Sequence, residues 1–451
     1  MPHRPAPLQV LVATLCAALA VGCGDVPSSD APRDLVILVL DALPAHELSG
    51  YGYGRTTTPQ LDALAERGVR FEWALSAASY TLASTASLFT GLTPRAHGCT
   101  DETGQVLGAD RETLAERLSQ SGFRTAAFSL NPQVSRETGF DQGFATFEYV
   151  PRDDFTFNRV PAGFLESVRE TWEAGHGSRR FLYVHLLPPH VPYSPPPPFD
   201  VLFGADAIDP REGLQTSLRA LNQDTLWLTP EDPRVERARR LYDAGLAYAD
   251  DVAGRLIESL GADGGLDQAA VVVLSDHGEA FGESGRILHG SMASLEMVHV
   301  PLILIAPGLA PGVRADTVRT RDLAATLSEL LDVPWEPRVA TGRSFLGAPG
   351  LDADDGKGAL SRSSGPSPTW ALRSADWTLV RHTATGRELL FDRHADPLET
   401  HDLAQAEPAT RERLAAALDR ALGRERAIGR RFAAPESVEA HTDALEDLGY
   451  L

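Results

Sequence analysis

The sequence predicts an α/β protein with a mainly parallel central sheet. Four short apolar runs, residues 35–40, 125–130, 181–186 and 270–274, have the unbroken hydrophobicity of strands buried on both faces, and a fifth, 301–306, follows them. Amphipathic patterns of helical period lie between the runs, and such alternation is the mark of an α/β layer fold. The chain has 451 residues, 43 % hydrophobic and 23 % charged, which suits a globular protein with a sizeable core.

The elements can be justified in order. His3 and Arg4 precede a mostly apolar stretch, residues 8–21, which suits an export signal and is short for a membrane span. It ends in Ala20-Val21-Gly22-Cys23, which resembles the bacterial lipobox. Residues 1–22 are therefore expected to be a lipoprotein signal peptide, with Cys23 lipidated and residues 23–33 a tether. The protein would be exported and membrane-anchored, in the periplasm or at the cell surface. No other segment reaches about 18 uninterrupted apolar residues, so no further span is predicted. With Cys16 removed and Cys23 acylated, Cys99 would be the sole thiol, and no disulfide framework could form.

Thr58-Pro59 opens a helix that stops at Gly68, with Pro at its first position and Gly past its end. Residues 111–121 and 237–260 read as two further helices. Residues 34–346 would form the catalytic domain. Residues 347–367, rich in Gly, Ser, Asp and Pro, read as a linker or loop. Residues 368–451 read as a small α+β subdomain, with antiparallel strands at 371–381 and 388–392 and an amphipathic helix at 408–424.

In an open parallel sheet, ligands collect beyond the carboxyl ends of the strands. The first strand runs into Asp41, and the run ending at Leu274 leads through Ser275 into Asp276-His277-Gly278-Glu279. Bare carboxylates beside such strands are costly unless compensated, and a divalent cation on Asp41, Asp276 and His277 would compensate them. Thr81 falls at the start of a short helix, residues 82–90, stopped by Gly91. There its hydroxyl is either a nucleophile activated by a nearby metal or a plain N-cap. His185 and His190 lie at and just after the end of another strand, and His289 stands in Leu288-His289-Gly290; histidines so placed suit acid–base or ligand roles.

The charge is −21, from 62 acidic and 41 basic residues, which excludes the basic footprint of a nucleic-acid binder. Only one of the basic residues is a lysine, Lys357. No mechanism that needs a pair of lysines can operate here.

In combination these residues resemble the sulfatase branch of the alkaline phosphatase superfamily. The resemblance rests on Asp41, Thr58-Pro59-x-Leu61-Asp62-x-Leu64 and Gly68-Val69-x-Phe71. It extends through Thr81 to Gly91, Pro189-His190-Val191-Pro192-Tyr193, Ser275-Asp276-His277-Gly278-Glu279 and His289-Gly290. It implies a central mixed sheet sandwiched by helices, with a smaller C-terminal sheet. It implies a divalent metal (calcium, magnesium, manganese or zinc, one or two ions) on Asp41, Asp276, His277 and Thr81. Thr81 stands at the nucleophile's position. His190 would contact the transferred group or protonate the leaving group, and His289 would contact substrate or a second metal. His185 and Asn131 would line the substrate site.

Departures from the family pattern set the expected reaction. Sulfatases mature a Cys or Ser to formylglycine within Cys/Ser-x-Pro-x-Arg; here the stretch is Thr81-Leu82-Ala83-Ser84-Thr85, and threonine cannot yield that aldehyde. The second of the paired aspartates is Ala42. The family's two active-site lysines correspond to the stretch Asn131-Pro132 and to His289, while Lys357 lies in the predicted linker. The expectation is a metal-dependent hydrolase of sulfate or phosphate esters, the latter diesters or phosphonates, acting through a covalent threonine intermediate. A phospho- or sulfo-group transferase and a non-catalytic metal-stabilised binding protein are the rival readings. Expected partners are a small-molecule, glycan or lipid ester and, through Cys23, a membrane.

Overall fold

The computed structural model describes residues 31–100, 106–151, 158–204, 227–335, 342–347, 351 and 358–433. Cys23, residues 1–22 read above as a signal peptide, and Lys357 lie outside them.

An eight-stranded sheet forms the centre, in the order β10-β2-β9-β6-β1-β5-β3-β4. Its strands are β1 (Asp34–Asp41), β2 (Val69–Leu75), β3 (Phe123–Ser129), β4 (Thr146–Tyr149), β5 (Arg179–Pro189), β6 (Ala269–Leu274), β9 (His299–Ile305) and β10 (Gly312–Arg319). All five apolar runs are strands. The sheet is mixed because β9 pairs antiparallel with both β2 and β6 while every other pairing is parallel. The reason is local. After β6 the chain stays at the strands' carboxyl end, forms a hairpin from β7 (Ala280–Phe281) and β8 (Ile287–Leu288), and re-enters the sheet from there.

β1 is buried along all eight residues, so its side chains feed two cores by strict alternation. Val36, Leu38 and Leu40 join the helices Pro59–Ala65, Phe164–Glu173 and Pro233–Gly261 on one face. Leu35, Ile37 and Val39 join Thr81–Thr90, Leu114–Gln120 and Leu323–Leu330 on the other. At the amino end of β1, buried Asp34 accepts from the Arg180 backbone N–H at 2.7 Å and from its guanidinium at 2.6 and 3.1 Å. That pins β1 beside β5.

A smaller antiparallel sheet follows, β11 (Ala359–Arg362), β12 (Thr369–Arg373), β13 (Trp377–His382) and β14 (Glu388–Asp392), covered by the helix Pro408–Gly429. Two expectations change here. The stretch read as linker contains β11, and the stretch 371–381 read as one strand covers parts of two, joined by a turn in which the Ser374 hydroxyl accepts from Trp377 N–H. β11 has no apolar run to betray it. Its place comes from long-range pairing with the loop before Thr81: Arg362 N–H donates to Ala77 O, Ser79 N–H to Arg362 O, and Ser361 Oγ–H to Ser76 O. The small domain therefore braces the segment that leads into the predicted nucleophile. Among the described residues, no helix is long and apolar enough to cross a membrane.

Candidate active site

β1 and β6 are adjacent and in register, Val39 opposite Leu274, so Asp41 and the Asp276-His277 pair emerge side by side. At Asp41 the pairing with β5 shifts, and Ala42 follows with a φ of 58°. That left-handed residue turns the chain away directly after the carboxylate, and its N–H faces Asp276 Oδ1 at 3.4 Å.

Thr81 comes to the same place from another element. Tyr80 is extended, and Thr81 begins a ten-residue helix that ends where Gly91 takes φ 68°. The Leu82 N–H donates to Gln133 Oε1 at 2.9 Å, fixing the helix start. Thr81 Oγ1 then lies 3.5 Å from Asp41 Oδ1 and 3.2 Å from His277 Nε2. Asn131 Nδ2 donates to Asp41 Oδ2 and lies 3.4 Å from Thr81 Oγ1. His277 Nε2 is 3.5 Å from both Asp41 Oδ1 and Asp276 Oδ2. The four residues Asp41, Thr81, Asp276 and His277 are all buried.

The other histidines surround this group. His185 is fully buried behind Asp41, 3.4 Å from Oδ2, with Nδ1 2.9 Å from the Tyr183 hydroxyl. Its two ring nitrogens thus face Asp41 and Tyr183. His190 donates from Nδ1 to Val191 O at 2.7 Å, and burial pushes its pKa down to about 4. The His289 ring lies 4.4 Å from that of His277 and 4.8 Å from that of His190, centre to centre. Sequence reasoning gave no role to Tyr183, Gln133 or Glu279. Glu279 was visible in the Asp-His-Gly-Glu motif, but nothing in sequence says that its fully buried carboxyl meets His289 Nδ1 at 3.1 Å.

The electrostatics of the two carboxylates differ. Burial acts to raise Asp41, but His190, His185 and His277 outweigh it and hold the carboxyl well below the usual range. Asp276 is raised, by burial first and then by the charge of Asp41. Among the described residues their ion-pair partners are histidines. Asp276 Oδ2 and His185 Nε2 are buried without a hydrogen bond. Ligand atoms of Asp41, Asp276 and His277 all lie within 4.8 Å of one another. An orphaned oxygen of Asp276 beside the Asp41 carboxylate and the His277 imidazole is the donor set a divalent cation takes, so these residues fit the metal that the sequence implies. A second acid–histidine group, His46, Glu47 and Glu283, is already bridged by a cation of the chain: Arg239 bonds Glu283 and sits 3.3 Å from Glu47.

A hydroxyl, two carboxylates and several histidines gathered at the carboxyl ends of a mixed, helix-sandwiched sheet place the protein in the alkaline-phosphatase-like class. The Sulfatase family model matches residues 33–333, and the chain belongs to that family. The choline-sulfatase of Rhizobium meliloti is 26 % identical over 404 residues, 77 % of each chain. Among solved structures, the phosphonate monoester hydrolase of Agrobacterium radiobacter has a TM-score of 0.68 at 20 % identity, covering 87 % of this chain and 96 % of its own. A protein solved with its substrate D-glucosamine-2-N,6-O-disulfate has a TM-score of 0.68 at 18 % identity, covering 88 % and 98 %. The family's members are ester hydrolases.

Proposed function

We propose that the protein is a metal-dependent hydrolase of sulfate or phosphate esters with Thr81 as its nucleophile. The observation that carries this reading is the buried Thr81 hydroxyl at a helix start, within 3.5 Å of both Asp41 and His277. A divalent cation held by Asp41, Asp276, His277 and Thr81 supplies positive charge for the oxygens of the transferred group and makes the hydroxyl more acidic. Oγ1 of Thr81, 3.5 Å from Asp41 Oδ1 and 3.2 Å from His277 Nε2, attacks sulfur or phosphorus as the hydroxyl gives its proton to water. As the new bond to Oγ1 forms, the bond to the leaving oxygen breaks. Water then cleaves the threonyl ester, releasing the acid and restoring the hydroxyl.

Charge points to the substrate class. Sulfate monoesters, phosphodiesters and phosphonate monoesters carry one negative charge on the transferred group, whereas phosphate monoesters carry two. The chain has a single lysine, so it cannot supply a lysine pair to the site, and a singly charged ester suits it better. The lipobox-like Ala20-Val21-Gly22-Cys23 supports export and anchoring through Cys23. Loss of membrane association in Cys23→Ala is the outcome expected there.

The test is a screen of the mature chain with zinc, manganese, magnesium and calcium against aryl sulfate, phosphodiester, phosphonate and phosphate monoesters. The wild type should release free acid in water, and Thr81→Val, which keeps the side chain's shape, should lose at least about a thousandfold in kcat. Turnover undiminished in metal-loaded Thr81→Val would refute the nucleophile. Product transferred only to an added alcohol would make the enzyme a transferase.

A further inference from the structure

We propose that the active site faces away from the membrane that carries Cys23, so that the enzyme takes a water-soluble ester and not a lipid of that membrane; the proposal rests on the anchored ester-hydrolase reading above. β1 sets the geometry. At its start the Arg33 N–H donates to Gln268 O at 2.7 Å, and the Asp34–Arg180 pair closes the same end. At its finish stands Asp41, in the site. Eight residues at about 3.3 Å each put the two ends about 23 Å apart. The neighbours repeat this direction. β6 runs parallel from Ala269, beside Asp34, toward Asp276 and His277. β2 starts at Val69 on the same side and leads toward Thr81, since both β2 and β6 oppose β9. The site residues therefore gather at one pole of the sheet, and the tether enters at the other.

The tether is too short to turn the molecule over. β1 lies inside the sheet, between β6 and β5, with helices packed on both faces. A chain leaving its amino end must first pass about 15 Å sideways to clear one helical layer. It must then run at least about 23 Å along that layer to draw level with Asp41, and further to pass the loops beyond. Ten residues separate Cys23 from Arg33. Pulled straight they span at most about 36 Å, and as a flexible chain they span about 17 Å. Cys23 is thus confined to the amino pole. At the far pole the His289 side chain keeps 9 % of its surface open, and Ser291 just after it is exposed. A lipid held in the anchoring bilayer cannot bring its ester group there, whereas a soluble small molecule or glycan can.

The test places the lipidated protein on phospholipid vesicles that carry an acceptor dye in the headgroup layer. A donor dye is attached at Gln268→Cys, an exposed position at the amino pole, or at Ser291→Cys; Cys99 is buried and stays unlabelled. Arg67→Cys, exposed just before β2, is a second amino-pole label should Gln268→Cys fail to fold. The donor near β6 should lose most of its emission to the vesicle, and the donor near His289 little. In parallel, the anchored wild type receives one singly charged ester in two forms, on a short soluble alcohol and on a dialkyl lipid of the same vesicle. The lipid form should turn over at no more than about a hundredth of the soluble rate, because geometry cancels the gain in local concentration that anchoring would give. Equal or greater transfer from Ser291→Cys, or a lipid ester cut as fast as the soluble one, would overturn the proposal and leave the hydrolase intact. A wild type that binds vesicles no better than Cys23→Ala would overturn it by removing the anchor. A wild type that turns over no ester with any of the four metals would bring down the proposed function itself, while the dye measurement would still report which pole faces the membrane.

Discussion

Asp276→Asn should make the metal-free protein more stable and, at the same time, blind to divalent cations. Asp276 is 2 % exposed, its Oδ2 has no hydrogen bond, and its Oδ1 has only long contacts, 3.4 Å to Ala42 N and 3.5 Å to Ser275 Oγ. Burial and the Asp41 charge both disfavour its ionised form. An asparagine keeps the acceptor for Ala42, removes the charge, and presents an N–H toward Asp41 or His277. A buried polar group left unsatisfied costs about 1–3 kcal/mol, so the metal-free variant should gain about that much. For a folded unit of roughly 300 residues the unfolding entropy is about 0.6 kcal/mol per kelvin, which converts the gain to about 2–5 °C in Tm. The wild type, given cation at a hundred times its Kd, should gain about 2.7 kcal/mol, or about 4 °C, and the variant almost nothing. Scanning calorimetry after chelation, then with each cation added back, reads both effects. A metal-free variant less stable than wild type would mean that Asp276 is already satisfied. Equal stabilisation of both proteins by cation would mean that the ligand set is wrong.

Two further predictions concern the scaffold. Asp34→Ala leaves the Arg180 guanidinium buried without its anion, stacked 3.7 Å from the Trp172 ring centre, and should cost about 3–5 kcal/mol by chemical denaturation. A loss under about 1 kcal/mol would show the pair to be dispensable. His97 is held neutral: burial and then the Arg111 charge lower its pKa from 6.5 to about 3, and its Nδ1 accepts from Cys99 N–H at 3.0 Å. The unfolded chain binds a proton that the folded chain refuses, so this contribution is complete above pH 6.5 and is lost as pH falls toward 3. His97→Gln should flatten the stability–pH slope across that window by up to about 1.4 kcal/mol per unit, and an unchanged slope would refute it.

Much of the fold was legible because periodicity reports burial. β1, β3, β5, β6 and β9 are apolar runs, and the helix from Thr81 is bracketed by its own stop signal at Gly91. β10 escaped notice because most of its residues are not buried, and β11 because four residues with one large apolar side chain, Leu360, carry no period. The reversed direction of β9 was equally unreadable, since an apolar run looks the same in either direction.

By itself the sequence determined the chemical inventory: aspartates and a histidine at strand ends, a threonine hydroxyl at a helix start, and a single lysine in the whole chain. Those are properties of residue type and local position, which a linear pattern carries. Tertiary structure decided how the inventory is divided. It set β1 beside β6 so that two distant carboxylates meet, placed His185 behind Asp41, and braced the Thr81 loop with β11. It also gave two histidines a carbonyl at Nδ1 and a third a carboxylate. The physical reason is that an imidazole's role depends on what its second nitrogen touches, and that partner is chosen by strand register and chain packing rather than by the histidine's neighbours in sequence.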